Sequence, residues 1–141
     1  MEPCFNQGTL HKPKKAHMTS KLSLRPIIKT KEFEKSTEEE RFQTQTLRPI
    51  LKLQNELILG LYRNHITESK STFHDLSLEN KILFVENSLQ KNIVLKNKLL
   101  GVSLGMFTIE ELAVYSTNTS LFNKRIMGLI VERIRSQVTL I

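Results

Sequence analysis

The side chains of this chain that could do chemistry are few and stand in isolated pairs. His65 and Glu68 are three residues apart and would share one face of a helix, but they form the reverse of the Glu-x-x-His pair of di-iron bundles, and the pair occurs once. His74 could approach His65 across a loop, yet two histidines without a third ligand do not make a zinc site. The sequence therefore predicts neither a metal centre nor a cofactor.

A reactive cysteine and a phosphate-binding motif are missing as well. Cys4, the only cysteine, lies near the N-terminus, and the five glycines form no glycine-rich phosphate loop. An enzyme would need a buried polar site built from scattered residues, for which Arg48, Glu56, His65 and His74 are the candidates. We predict no catalytic residue and regard an enzyme as the third of three hypotheses.

The net charge of +7 is concentrated at one end of the chain. Residues 1–35 hold eight Lys and Arg against three Glu, whereas residues 36–141 hold thirteen against eleven acidic residues. We therefore predict a basic, largely disordered N-terminal tail over residues 1–35, followed by a helical bundle domain over residues 36–141. Residues 1–17 have the composition of a leader, and Met18 offers an alternative start.

Helical periodicity begins at residue 36. Ser36 and Thr37 each precede a glutamate by three residues, which is the capping-box spacing that starts a helix. Thr46 is a candidate N-cap for a second helix that accommodates Pro49 in its first turn. Apolar residues then recur at spacings of three and four, at Leu47, Ile50, Leu51, Leu53, Leu57, Ile58 and Leu61.

Further capping signals mark the later helices. Ser77 precedes an apolar pattern of helical period, Thr108 forms a capping box with Glu111, and Ser120 can open a last helix. No segment shows strand alternation between hairpin turns. The fold class is therefore predicted to be all-α, a small bundle of four or five antiparallel helices.

The tetrapeptide LRPI occurs twice, at residues 24–27 and 47–50. The second copy opens an amphipathic helix, whereas the first is followed by residues without an apolar period, so we predict different backbone conformations for the two. For the first copy we predict an extended segment whose Leu24, Ile27 and Ile28 pack on the outside of the bundle.

A nucleic-acid interface is one candidate binding surface. The region TIEELAVYSTNTSLFNKRIMGLIVERIR resembles a helix-turn-helix, with Lys124, Arg125, Arg133 and Arg135 as candidate nucleic-acid contacts on its second helix. The turn has no glycine, and the second helix is apolar over much of its surface. Both features favour a core-forming helical hairpin.

The polar side of the longest helix is a second candidate surface. Arg48, Asn55, Glu56 and Arg63 stand along it and would be the first residues to mutate. The competing interpretation of these four residues is an ordinary solvated helix face.

Three stretches, QTLRPILKLQNELI, ENSLQKNIVLKNKLLG and FTIEELAVYSTNTSLFNKRIMGLIVERI, resemble a family of short, uncharacterised bacterial proteins. The resemblance covers about residues 20 to 137. Some members of that family carry the label glyoxalase. Genuine glyoxalases build a metal site from His, Gln and Glu on paired βαβββ units, and this sequence has neither such strands nor a matching set of ligands. The resemblance thus implies a real helical domain but assigns no site residue.

Three functions fit these patterns. The first is a noncatalytic module that binds a protein partner, or a second copy of itself, through an apolar groove, and an exposed apolar patch would support it. The second is a nucleic-acid binder that uses the basic tail and the C-terminal hairpin, and the third is an enzyme. No apolar run is long enough to cross a membrane and no secretion signal is present, so we expect a cytoplasmic protein without membrane contact. We favour the first function.

Overall fold

The computed structural model describes residues 20–28 and 36–141, and all regular secondary structure within these ranges is helical. The prediction of an all-α fold is therefore confirmed, while the antiparallel order of the helices stays a prediction. Among the described helices, none is long and apolar enough to cross a membrane. The predictions for residues 1–19 and 29–35, including the leader and Cys4, lie outside the described residues.

The helices follow one another along the chain with short connections. They are α1 (Lys21–Leu24), α2 (Glu38–Phe42), a π-helical turn (Gln43–Leu47), α3 (Arg48–Leu53), α4 (Asn55–Glu68), a 3-10 turn (Phe73–Asp75), α5 (Leu78–Lys91), α6 (Ile93–Leu104), α7 (Ile109–Ser116), α8 (Thr119–Ser136) and a final 3-10 turn (Val138–Leu140).

Most of the helix starts lie where capping residues predicted them. Thr37 caps α2 and forms a complete capping box with Glu40, and Thr108 does the same for α7 with Glu111. Ser77 caps α5. In each case the hydroxyl accepts a hydrogen bond from a first-turn N–H that has no partner within the helix, which is why these local signals fix the starts.

Two asparagines cap helices for which the sequence indicated another cap or none. Asn118, rather than Ser120, caps α8, because its side-chain oxygen accepts a hydrogen bond of 3.2 Å from the N–H of Leu121. Asn92 caps α6 in the same way, with an acceptor distance of 3.0 Å to the N–H of Leu95. Asn92 is also the C-cap of α5 and has an extended backbone conformation, so it forms the corner between α5 and α6.

The prediction that Thr46 caps a new helix is wrong. The chain continues without a break through the π-helical turn Gln43–Leu47, in which the backbone hydrogen bond to Gln43 spans five residues. This wider turn precedes Pro49, whose ring would clash with the carbonyl four residues earlier in a regular α-helix. Thr46 is instead buried within the π-helical turn.

The line of buried side chains along α3 does not continue on the same face of α4. Ile50 and Leu51 of α3 are buried as predicted, but Leu57 of α4, predicted to face the core, is 50% exposed. Leu59 is buried in its place. Gln54, between the two helices, has φ −90° and ψ 8°, and such a departure from helical dihedrals rotates the following helix about its axis.

Helix α8 is the central element of the core and packs against α4, α5, α6 and α7. Its buried side chains are Phe122, Ile126, Met127, Ile130 and Ile134. The ring of Phe122 meets the ring of Phe42 edge-on, with 4.9 Å between ring centres. The second helix of the presumed DNA-binding hairpin is thus a core helix of this domain.

The segment before the domain is anchored by two charged side chains. The guanidinium of Arg25 donates two hydrogen bonds of 2.6 Å to the carboxylate of Glu111 and a third of 2.6 Å to the carbonyl of Met106. The ammonium of Lys21 donates a hydrogen bond of 3.2 Å to the carbonyl of Phe107. All three acceptors belong to the loop between α6 and α7 or to the first turn of α7.

The apolar anchoring predicted for the first LRPI copy is wrong for Leu24 and Ile27, whereas Ile28 is half-buried. Ile27 is 95% exposed and Leu24 is 49% exposed, so neither holds the segment against the bundle. The prediction of two different backbones for the two copies is confirmed, since Arg25 has an extended conformation and Arg48 begins α3.

Candidate functional site

A mostly apolar hollow of about 560 Å³ lies beside the corner between α5 and α6, and we call it the α5–α6 groove. It is lined by His65, Phe84, Asn87, Ser88, Lys91, Asn92, Ile93 and Val94. The α5 members recur at helical spacing and so present one face of that helix. Because Asn92 ends α5 and caps α6, the two following residues emerge at the lip of the groove.

The lip of the groove is formed by two aliphatic side chains that the bundle does not cover. Ile93 is 69% exposed and Val94 is 67% exposed. They occupy the first two positions of α6, where the turn at Asn92 directs them away from the core. Neighbouring exposed aliphatic residues beside an apolar hollow are typical of a surface that a partner covers.

The wall behind the groove is rigid because aromatic rings pack in series. The ring of Phe84 meets that of Phe73 at 5.4 Å, and Phe73 meets Tyr62 at 6.4 Å, both edge-on. The hydroxyls of Tyr62 and Ser88 are 2.6 Å apart and form a hydrogen bond, and the Ser88 hydroxyl also lies 3.1 Å from the carbonyl of Val85. Burial raises the pKa of Tyr62 to about 12, and the hydrogen bond with Ser88 opposes this shift only in part.

A second hollow of about 250 Å³ adjoins the groove and shares its residues His65, Asn92 and Val94. Its other lining residues are Leu61, Asn64, Glu68, Leu95 and Lys98. The predicted pair of His65 and Glu68 therefore does line one hollow. In the described part of the chain, however, no group of three or more His, Cys, Asp or Glu side chains is placed to hold a metal ion.

The four candidates for an enzymatic site are not brought together. His65 lines the groove, His74 is exposed with its ring 5.5 Å from that of Phe73, and Glu56 is exposed on α4. Arg48 lines a different cavity, at the end of α8. This arrangement offers no cluster in which these four residues could share one substrate.

The predicted polar surface along α3 and α4 is in part a docking face for the end of the chain. Asn55 and Gln137 exchange two side-chain hydrogen bonds, of 3.0 and 2.8 Å. The guanidinium of Arg63 donates a hydrogen bond of 2.7 Å to the carbonyl of Leu140. Glu56 remains an exposed side chain. Sequence reasoning missed Gln137, because its partner lies eighty-two residues away and leaves no local signal.

Three of the four predicted nucleic-acid contacts have partners inside the domain. Arg125 donates a hydrogen bond of 2.9 Å to Gln43, and Arg133 donates one of 3.2 Å to Asn55. In the third case, Arg135 forms an ion pair of 3.1 Å with Glu86.

Lys124 is exposed on α8. Within residues 20–28 and 36–141, these four basic side chains do not line a common groove, and their role as nucleic-acid contacts stays a prediction.

No protein-family model matches the chain, and neither a curated protein nor a solved structure matches it. The resemblance to the short bacterial helical proteins therefore stays a prediction.

Proposed function

We propose that this protein is a noncatalytic helical binding module that holds an apolar segment of a partner protein in the α5–α6 groove. The observation that carries the proposal is the pair of exposed aliphatic residues, Ile93 and Val94, on the lip of a hollow of about 560 Å³. Kinship with the short bacterial helical proteins and a cytoplasmic location belong to the same proposal.

Covering the lip would release a useful amount of free energy. A fully buried Ile or Val side chain contributes roughly 1.5–3 kcal/mol relative to an exposed one. Ile93 and Val94 are each about two-thirds exposed, so most of that contribution is still available for binding. The rigid aromatic wall adds to this, because the groove need not be ordered when a partner binds.

The lining of the groove indicates which partner segment would fit. Lys91 contributes a positive charge to the lining of the groove. The adjoining hollow is lined by one basic residue, Lys98, and one acidic residue, Glu68. The side-chain amides of Asn87 and Asn92 also face the groove and can bond to a peptide backbone. We therefore expect a segment with a bulky aliphatic or aromatic anchor flanked by acidic residues.

The test is selection of peptides from a displayed random library on the full chain, followed by affinity measurement for the enriched sequences. Ile93→Asp introduces a charge on the lip and should weaken binding at least about tenfold, a loss of about 1.4 kcal/mol. Ile109→Asp is the matched control, because Ile109 is also the first residue of an asparagine- or threonine-capped helix and is 77% exposed. An aspartate at this helix position is favourable in both variants.

Enrichment of acidic peptides with an apolar anchor, bound by Ile109→Asp but not by Ile93→Asp, would support the proposal. Peptides bound equally by both variants would place the binding surface elsewhere. Failure to enrich any sequence over a surface without protein would exclude a peptide-binding groove.

The nucleic-acid hypothesis has less support than the groove. Arg125 and Arg133 are held by side chains of other helices, and α8 presents its apolar face to the core. The enzyme hypothesis lacks a cluster of its candidate residues. The groove is therefore the better supported of the three alternatives.

A further inference from the structure

A cavity of about 200 Å³ lies at the end of α8, and we call it the arginine notch. It shares no lining residue with the α5–α6 groove. It is lined by Arg48, Leu51, Leu129, Glu132, Arg133, Ser136 and Gln137. Two guanidinium groups, one carboxylate and two neutral polar side chains thus face one small cavity, with two leucines completing its wall.

The notch has an excess of positive charge. Burial lowers the pKa of Arg133, and repulsion by Arg48 lowers it further by more than the attraction of Glu132 raises it. In the described residues neither arginine forms an ion pair, since the ion pairs there join Arg25 to Glu111 and Arg135 to Glu86. Two like charges held close together without an ion-pair partner favour a bound anion.

One of the two guanidinium groups is held in a fixed orientation. Arg133 donates to the side-chain oxygen of Asn55, and Asn55 is itself held by the reciprocal hydrogen bonds with Gln137. A guanidinium that is oriented before binding loses little freedom when it forms a two-pronged contact with an oxyanion.

The negative end of the α8 dipole would oppose an anion at this position, but two side chains offset it. The carbonyl of Arg133 accepts hydrogen bonds from the hydroxyl of Ser136 at 2.9 Å and from the amide of Gln137 at 3.0 Å. The backbone N–H of Gln137 also donates to the last turn, to the carbonyl of Ile134. These hydrogen bonds satisfy carbonyls in the last turn of α8, which carry part of the negative end of the dipole.

We infer that the arginine notch binds a small oxyanion, a phosphate or carboxylate group, between Arg48 and Arg133. The leucines Leu51 and Leu129 exclude water from one side of the cavity, which strengthens charge interactions inside it. This site is separate from the groove, and its test does not depend on the proposed peptide binding.

The experiment is titration of the full chain with inorganic phosphate at constant ionic strength, followed by calorimetry and by the side-chain amide NMR signals of Asn55 and Gln137. Arg133→Gln and Arg48→Gln should each weaken phosphate binding at least about tenfold, because each removes one arm of the site. Arg41→Gln is the control, since Arg41 is an exposed arginine that bonds to a backbone carbonyl. It should change the affinity less than about twofold.

A parallel titration with acetate separates the two sources of the oxyanion. Tighter binding of phosphate assigns the notch to phosphate groups, and equal or tighter binding of acetate assigns it to carboxylates. Thermal unfolding of each variant verifies that it is folded. Absence of phosphate and acetate binding up to about 10 mM, or equal affinity in the wild type and both notch variants, would overturn the inference.

Discussion

The guanidinium of Arg25 and the carboxylate of Glu111 form a two-pronged ion pair with both hydrogen bonds at 2.6 Å, and their side chains are only 6% and 15% exposed. The carboxylate also accepts the backbone N–H of Thr108 at 2.9 Å and a hydrogen bond from Thr46. One acidic side chain therefore joins the N-terminal segment, the π-helical turn and the start of α7. The same glutamate completes the capping box of α7.

Replacement of Arg25 by Met should destabilise the domain by on the order of 3 kcal/mol, because it leaves a buried carboxylate without its charged partner. Chemical denaturation monitored by circular dichroism measures the change. Arg135→Gln is the control, since its ion pair with Glu86 joins side chains that are 47% and 41% exposed. An exposed pair contributes less than about 1 kcal/mol.

The double variant Arg25→Met with Glu111→Leu should be less destabilised than the sum of the single variants, because removing both charges avoids the unpaired group. If the effects of the two single substitutions simply add, the ion pair does not link these residues energetically.

Stability in acid should depend on Glu111. Burial alone would raise the pKa of this carboxyl, but the hydrogen bond and charge of Arg25, with the bonds from Thr108 and Thr46, hold it below its ordinary value. The unfolded chain then binds the proton more readily, so this contribution is complete above pH of about 4.5 and is lost as the pH falls through the folded-state value. Glu111→Gln should unfold with a shallower dependence on pH below about 4.5. If the free energy of unfolding falls equally steeply below that pH in the variant and the wild type, other carboxyls control the acid stability.

Two leucines of α4 test the rotation of its buried face. Leu59 is 1% exposed and Leu57 is 50% exposed. Residues two apart in one helix lie on different faces, so the pair shows which face is buried. Leu59→Ala should cost about 3 kcal/mol through lost burial and a cavity. Leu57→Ala should change the free energy of unfolding by less than about 0.5 kcal/mol. Urea denaturation of both variants decides the register, and the reverse order would restore the face predicted from the sequence.

The burial of the Tyr62 hydroxyl should affect stability in alkaline solution. Burial raises the pKa of Tyr62 to about 12, so the folded state keeps the phenol protonated at pH values where the unfolded chain loses that proton. The stabilisation is complete below pH of about 10 and declines as the pH rises toward the folded-state value. Tyr62→Phe should therefore lose less stability than the wild type between about pH 10 and 12. If the free energy of unfolding falls equally with rising pH in the two proteins, the result would contradict the burial of this hydroxyl.

The sequence indicated the local features of the fold because each rests on neighbouring residues. The capping boxes at Thr37 and Thr108 join groups three residues apart, so their geometry is complete within one helical turn. The apolar period likewise predicted an all-α domain. Local departures from regular α-helix were not predicted, since neither the π-helical turn before Pro49 nor the non-helical backbone of Gln54 has a distinct local pattern.

The candidate sites were harder to predict than the helices. Arg48 was predicted to lie on a polar surface and Arg133 to contact nucleic acid, but only the tertiary structure places both in the lining of one cavity. Ile93 and Val94 have no local sequence signal that distinguishes them from buried helix residues. Their exposure follows from the corner at Asn92, which turns the first residues of α6 away from the core.

The sequence by itself determined that the chain forms helices and where most of them begin. Tertiary structure decided which face of each helix is buried and which charges meet. The pairing of Arg25 with Glu111 spans eighty-six residues, and that of Asn55 with Gln137 spans eighty-two. Such contacts depend on how whole helices pack, whereas caps and apolar periods depend on interactions within one or two turns.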